Sequence, residues 1–118
     1  MQPETLVRAL AELLPTGAVQ REDAAAWVAF GAAASTRPWL ADPYWEALQT
    51  MRTWIEGVLA DARKAGRMRV DLSPAEGARL VTALVNGLTL DLLNAPPTEA
   101  DEVIGQLRSG LGLILRGL

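Results

Sequence analysis

The 118-residue sequence contains no cysteine and no histidine. The absence of cysteine excludes disulfide bonds, thiol nucleophiles and zinc–thiolate sites. The absence of histidine removes the most common general base and the most common metal ligand, so Ser35, Ser73 and Ser109 have no histidine to activate them. The sequence therefore predicts no catalytic residue, no metal and no cofactor. An enzyme built on a helical scaffold is the least favoured interpretation.

A surplus of positive charge is also missing. Acidic residues number 14 against 11 basic ones, which gives a net charge of −3. A protein that binds nucleic acid on its own usually carries an excess of lysine and arginine. No segment resembles a helix-turn-helix followed by a basic recognition helix. We therefore expect DNA contact only through a domain that this chain lacks.

Long hydrophobic runs are absent too. No uncharged run approaches the roughly 18–20 residues that a membrane-spanning helix requires. The opening residues, MQPETLVRAL, lack the basic and then apolar layout of a signal peptide. The sequence therefore predicts a cytoplasmic location and no membrane partner. The length suits one domain, so residues 1–118 are expected to form a single unit.

Apolar residues recur at intervals of three and four, which predicts an all-α chain of five helices. The first helix is expected over residues 3–14 and the second over about residues 20–35. The third is expected over residues 43–65, with Asp42 as N-cap and Gly66 as the stop signal. Alternation typical of strands is almost absent.

The last two helices are unusually rich in apolar residues. The fourth has a capping box, with Ser73 as N-cap and Glu76 three positions later, and it carries Leu and Val around more than one face up to Asn94. The fifth follows Pro96-Pro97, with Thr98 as the expected cap. Its apolar seam continues to the end of the chain through Val103, Leu107, Leu111, Ile114 and Leu118.

This apolar surface is wider than three other helices can easily cover. A second copy across a two-fold axis is the simplest cover and would give a four-helix interface. Small residues beside the seam would let another helix approach, although compositional drift in a Gly- and Ala-rich chain is an alternative explanation. We therefore expect a homodimer with an interface that includes Leu93, Val103, Leu107, Gly110, Leu111, Ile114 and Gly117.

Carboxylate pairs occur at two expected helix starts, Glu22-Asp23 and Asp101-Glu102. Negative charge is favourable near a helix N-terminus, because the backbone N–H groups there are unsatisfied. Capping and dipole pairing therefore explain these pairs better than catalysis does.

Several stretches together resemble the C-terminal domain of TetR-family transcriptional regulators, and most closely the choline-pathway, BetI-like type. They are W-x-x-F at residues 27–30, the G-R-M turn at 66–68 leading into D-L-S-P at 71–74, and A-L-V-N-G-L at 83–88. The resemblance covers nearly the whole chain. It implies a five-helix domain that dimerises through its last two helices and senses a small molecule. The helix-turn-helix domain that binds operator DNA, usually to repress transcription, is missing.

This chain departs from the family pattern at two positions. Gly31 stands where related domains often carry a second large aromatic residue, which predicts an enlarged or reshaped pocket. Asn86 stands where aspartate is common.

The resemblance places the sensor pocket between the first four helices. On a helical wheel Asp91 points toward the apolar arc, near a helix C-terminus that disfavours negative charge. It either forms a salt bridge or reaches water at the rim, or it anchors a ligand group. If Asp91 anchors a ligand, the pocket would contain Asp91 with Trp27, Phe30, Met51, Trp54 and Asn86. Aromatic faces attract cations, so a small hydrophobic or cationic ligand is expected.

The sequence therefore predicts a small-molecule-sensing and homodimerisation domain of a TetR-type regulator. The alternative is a stand-alone helical module that heterodimerises with full-length regulators and titrates them.

Overall fold

The computed structural model describes residues 2–69, 71–97 and 99–118. They form five helices: α1 (Pro3–Ala11), α2 (Ala18–Ala34), α3 (Pro38–Lys64), α4 (Pro74–Asn94) and α5 (Ala100–Leu111). Within these ranges the only strand-like pairing is an isolated antiparallel bridge between Met68 and Leu115. The predicted all-α, five-helix fold is confirmed. None of the described helices combines the length and the apolar character that crossing a membrane demands.

The start of α4 is the boundary that the sequence specifies most clearly. The Ser73 hydroxyl accepts the backbone N–H of Glu76 at 3.1 Å and donates to its carboxylate at 3.0 Å. Pro74 occupies the first turn, where it has no intrahelical N–H bond to lose. The predicted N-cap at Ser73 is confirmed, and Glu76 pairs with the Ser73 hydroxyl and not with its backbone N–H.

The start of α3 differs from the prediction. The helix begins at Pro38, with Arg37 in an extended conformation as N-cap, and Pro43 lies inside it. Both prolines suit the first turn of a helix, but Pro38 takes that position. Pro43 then removes one hydrogen bond, the one to the carbonyl of Trp39, and the helix continues past it. Asp42 is exposed and is not a cap.

The last helix is shorter than predicted. α5 ends at Leu111, and Glu99 is its N-cap because the helix begins at Ala100. The expected cap, Thr98, lies outside the described residues. Interior glycines each destabilise a helix by about 1 kcal/mol relative to alanine, which weakens the segment around Gly110 and Gly112. Residues 112–118, which we call the tail, pair instead with the segment after α3. The N–H of Arg69 donates to Ile114 O and that of Arg116 donates to Arg67 O, both at 2.7 Å.

The core lies mainly between α3 and α4, and α1 and α5 close one end of it. The domain is flat, measuring 41 × 34 × 18 Å, so it is about two helices thick. Helix α2 covers α3 and α4 but buries only Ala24 and Ala34 fully. The largest fully buried apolar side chains are Leu6, Leu10, Leu14, Ile55, Leu59, Leu107, Leu111 and Leu115.

An ion pair joins α1 to α5. Arg108 donates both terminal nitrogens to the Glu4 carboxylate, with Nη2 at 2.8 Å from Oε1. The hydrogen bond from Arg108 is the main reason that the pKa of Glu4 lies below its usual value, and the same contact raises the pKa of Arg108. Both side chains remain more than a third exposed, so solvent screens the pair.

The structure corrects the surface expected to bind a second copy. Val103, Leu107, Leu111 and Ile114 are buried in the core of one chain, where α5 packs against α1 and α4. The premise that one copy cannot cover these residues is wrong, because they are already buried within a single chain. Leu93 is partly buried. A dimer stays a prediction, but those four core side chains offer it no free surface.

The two glycines assigned to the interface also act within the chain. A Cβ on Gly110 would lie 2.6 Å from Leu84 Cδ2, so this glycine lets α5 approach α4 closely. Gly117 lies in the tail, with φ of 81° and with Arg67 as its neighbour. Gly110 thus does admit another helix, and that helix is α4 of the same chain.

Candidate functional site

An aromatic cluster links α2 to α3. Trp27 and Tyr44 stack with ring centroids 4.8 Å apart and an interplanar angle of 27°. Phe30, three residues after Trp27, meets both rings edge-on at 6.0 Å and 5.3 Å. A Cβ on Gly31 would lie only 3.1 Å from the Tyr44 ring. The space that the missing side chain at Gly31 leaves is therefore filled by Tyr44.

A hydrogen bond ties the same cluster to α4. The indole N–H of Trp27 donates to Asn86 Oδ1 at 3.1 Å, and the pair is partly buried. Nearly two turns earlier on α2, Arg21 donates to the carbonyl of Leu93 at 2.7 Å. This carbonyl belongs to the last turn of α4, where a cation complements the negative end of the helix. Two polar contacts therefore hold α2 against α4.

A cavity of about 180 Å³ lies beside this hydrogen bond, between α2, α3, α4 and the end of α1. Its apolar wall consists of Leu13, Ala24, Trp27, Met51 and Val85.

The polar side of the cavity consists of Glu12, Asp23, Asn86 and Thr89. The Thr89 hydroxyl donates to Val85 O at 2.7 Å, so it offers the cavity only an acceptor oxygen. Neither Glu12 nor Asp23 forms an ion pair with another residue of the described ranges. The cavity is therefore lined by one indole and two exposed carboxylates, a combination that attracts cations.

A second, more open space of about 340 Å³ lies next to the cavity. We call it the groove. Trp27 and Asn86 line both the cavity and the groove. The other residues of the groove carry no charge; they are Val28, Ala32, Tyr44 and Leu90, together with the backbone of Gly31.

The structure brings together three of the six residues expected in the pocket, Trp27, Met51 and Asn86. Phe30 is close to them through its contact with Trp27 but does not line the cavity. Trp54 is 40% exposed on the outer side of α3 and lines neither the cavity nor the groove.

Asp91 is likewise exposed and lines neither space. It shares a side of α4 with Leu80, Leu84 and Leu88, as the helical wheel predicts. That side borders solvent, since Leu80 is 50% exposed, and the core-facing side carries Val81, Val85 and Leu92. Asp91 therefore corresponds to the alternative in which the carboxylate reaches water.

Of the two carboxylates that line the cavity, the sequence gives a role only to Asp23, as part of a pair at a helix start, and none to Glu12. Glu22 and Asp23 were interpreted as helix-start residues, but α2 begins at Ala18 and its first turn has no acidic residue. Asp23 precedes Trp27 by four positions and so shares its face, a spacing that the sequence does show. Glu12 follows the end of α1, and no local pattern indicates which element it approaches.

The residues around the cavity offer hydrogen-bonding groups and negative charge. In the described part of the chain, no group of three or more acidic, cysteine or histidine side chains could hold a metal ion. Trp27, Asn86 and the two carboxylates can donate and accept hydrogen bonds and attract positive charge.

Two solved structures share this fold. A transcriptional regulator from Rhodococcus sp. Rha1 is 29% identical, with a TM-score of 0.83 over 97% of this chain and 58% of its own. A proposed TetR-family transcriptional regulator from Rhodococcus sp. is 23% identical, with a TM-score of 0.83 over 93% of this chain and 58% of its own. The chain thus spans less than two thirds of either protein. No curated protein matches it significantly in sequence.

The model of the BetI-type transcriptional repressor C-terminal domain matches residues 3–116. This range contains all five helices, the cavity and the groove. The chain therefore belongs to the C-terminal domain family of BetI-type, TetR-family transcriptional regulators.

Proposed function

We propose that this domain senses a small molecule in the cavity beside Trp27 and holds two regulator chains together. The observation that carries the proposal is the position of the cavity, which is lined by α2, α3, α4 and the two residues after α1, next to the hydrogen bond from Trp27 to Asn86. A ligand there would touch most of the helices of the domain.

The packing of α2 supports a sensing role. This helix buries only two alanines fully, whereas α4 buries seven residues. Apolar burial contributes about 25 cal/mol per Å², so α2 is held less strongly than α4. A ligand in the cavity would therefore shift α2 at low cost and change its contacts with α4.

The outer side of α4 is the surface that we assign to a second copy. Leu80 is 50% exposed, and Leu84 and Leu88 follow on the same side and are partly buried. Leu113, just beyond α5, is 74% exposed. TetR-family regulators generally act as homodimers, and these leucines could form the apolar centre of such an interface. Heterodimerisation with longer relatives, the alternative function, would use the same surface.

Sensing and dimerisation together suggest how the domain acts. A ligand that favours one position of α2 against α4 would change the relative orientation of the two subunits. In a protein that also carries DNA-reading domains, this change would alter their separation and so the fit to two operator half-sites.

Binding to the chain can be tested directly. A broad panel of amines, quaternary ammonium compounds, aromatic acids and neutral lipophiles would be screened by thermal shift, and stabilising compounds measured by calorimetry. Leu13 lines the cavity and is 41% exposed, so Leu13→Trp should fill the cavity without disturbing the core. Val19→Trp is the matched control, because Val19 is 66% exposed and lines neither space.

We expect Leu13→Trp to weaken binding at least tenfold and Val19→Trp to leave it unchanged. A panel without a single stabilising compound, or ligands that bind both variants equally, would contradict the proposed sensor site.

A further inference from the structure

We propose that the cavity and the groove are two halves of one binding site, divided by the hydrogen-bonded pair Trp27–Asn86, and that this site takes an elongated amphipathic cation. This inference rests on the proposed sensing function and names the ligand class. The cation head would occupy the cavity and the apolar tail the groove.

The division of the site follows from shared walls. Trp27 and Asn86 line both spaces, and the indole N–H of one donates to the amide oxygen of the other at 3.1 Å. The net contribution of such a hydrogen bond to the stability of the fold is small, so a ligand can break it. Parting the two side chains would join a cavity of about 180 Å³ to a groove of about 340 Å³.

The two halves differ in chemistry. Glu12 and Asp23 line the cavity and not the groove. Apart from the dividing pair, the groove presents Val28, Ala32 and Leu90, together with the ring of Tyr44 and the backbone of Gly31. Carboxylates at one end and apolar surface at the other match a molecule with one positive head and one hydrocarbon tail. Trp27 lies at the junction, where its ring faces can attract the head and contact the tail.

The experiment uses alkyltrimethylammonium ions of increasing chain length, from tetramethylammonium to decyltrimethylammonium, below their micelle concentrations. Affinity is measured by calorimetry. Burying each methylene should tighten binding by about threefold to fourfold until the groove is full. Alkyl sulfates and alcohols of equal chain length are the charge controls, and we expect them to bind at least tenfold more weakly.

Two variants test the division of the site. Ala32→Phe fills the groove, and it should lower the ratio of decyltrimethylammonium affinity to tetramethylammonium affinity at least tenfold. Ala25→Phe is its matched control on α2, since Ala25 is exposed and lines neither space. Asn86→Ala removes the acceptor of the Trp27 indole, so it should raise the same ratio by roughly twofold to tenfold.

Two results would overturn this inference. One is an affinity that stays the same as the alkyl chain lengthens. The other is an equal change of the decyltrimethylammonium-to-tetramethylammonium affinity ratio by Ala32→Phe and Ala25→Phe. Equal binding of alkyl sulfates would overturn the cationic class. If tetramethylammonium binds in the cavity without any gain from the tail, the two-part site is wrong while the sensor proposal stands. If no ion of the series binds, the ligand class is wrong, and the broad panel described above decides the sensor proposal separately.

Discussion

The indole N–H of Trp27 on α2 donates to the side-chain oxygen of Asn86 on α4 at 3.1 Å, and both residues line the cavity and the groove. The resemblance to TetR-type C-terminal domains leads one to expect aspartate at position 86, where this chain has asparagine. Asparagine keeps the acceptor oxygen without adding a third carboxylate to a site that already has Glu12 and Asp23.

Removal of this acceptor should destabilise the domain measurably. Asn86→Ala is expected to lower the free energy of unfolding by about 0.5–1.5 kcal/mol, because the Trp27 indole loses its partner. Asn86→Asp retains an acceptor and should cost less. Urea unfolding followed by circular dichroism measures both. Gln106→Ala, at an exposed position of α5, is the control and should stay within about 0.5 kcal/mol of the parent. Equal stability of Asn86→Ala and the parent would show that the contact contributes nothing to folding.

Two glycines in helices should respond oppositely to the same substitution. A Cβ on Gly77 would lie 2.7 Å from Leu59 Cδ1, and Leu59 is fully buried. Gly77→Ala should therefore destabilise by about 1–3 kcal/mol through overpacking. Gly57 lies within α3 with no atom near the position of a Cβ, so Gly57→Ala should stabilise by about 0.5–1 kcal/mol. Thermal and urea unfolding compare the pair. A stabilising Gly77→Ala would contradict the close packing of α4 on α3.

The proposed dimer surface leads to a contrast between exposed and buried leucines. Leu80→Glu and Leu113→Glu should dissociate the dimer and leave each chain folded, because both side chains are already half or more exposed. Leu107→Glu should instead unfold the chain, because it places a charge in the core. Sedimentation across a dilution series, with circular dichroism, separates the two effects. Val19→Glu is the exposed control.

A chain that stays monomeric at all concentrations, or a Leu80→Glu variant that dimerises as the parent does, would refute this assignment. Association only after mixing with a longer relative would favour the heterodimer alternative.

The contact between Glu4 and Arg108 predicts a specific dependence on pH. The pKa of Glu4 is lowered in the folded state, chiefly by the hydrogen bond from Arg108. Its contribution to stability is therefore present above the unfolded pKa, which is about 4.3, and is lost as the pH falls through the folded value. Glu4→Gln should be less stable than the parent at pH 7, and the difference should shrink toward pH 3. An Arg108→Ala background should abolish the effect. A difference that is the same at both pH values would show that the charge of Glu4 is irrelevant.

Helical periodicity and capping explain the parts of the fold that the sequence predicted well. On α3, the apolar residues Leu48, Ile55 and Val58 are spaced so that they share one side of a helix, and all three are buried. The Ser73 cap fixes the start of α4. These features depend on neighbours in the sequence. The wrong boundaries arose where two local signals competed, as with Pro38 and Pro43, or where a tail found a distant partner, as with Arg69 and Ile114.

The site was predicted less well than the fold, for a related reason. A helical wheel shows which residues share a side of α4 but not which side meets the core, so it leaves open whether Asp91 reaches water or lines the pocket. The partner of Trp27 on another helix, and the approach of Glu12 from the end of α1, depend on how the helices pack. Trp27 and Asn86 were both expected in the pocket, because the resemblance draws on the packing that such domains share.

The most direct test of the proposed sensor site is the indole N–H signal of Trp27 in a ¹⁵N–¹H NMR titration. The chain has four tryptophans, and Trp39 and Trp45 are 73% and 53% exposed, away from the cavity. Single Trp→Phe variants would assign the signals. With tetramethylammonium and decyltrimethylammonium as probes, we expect the Trp27 signal to shift in a saturable way while those of Trp39 and Trp45 stay fixed. A saturable shift confined to Trp39 or Trp45, or a Trp27 signal that no compound of the broad panel moves, would contradict a sensor site at this position.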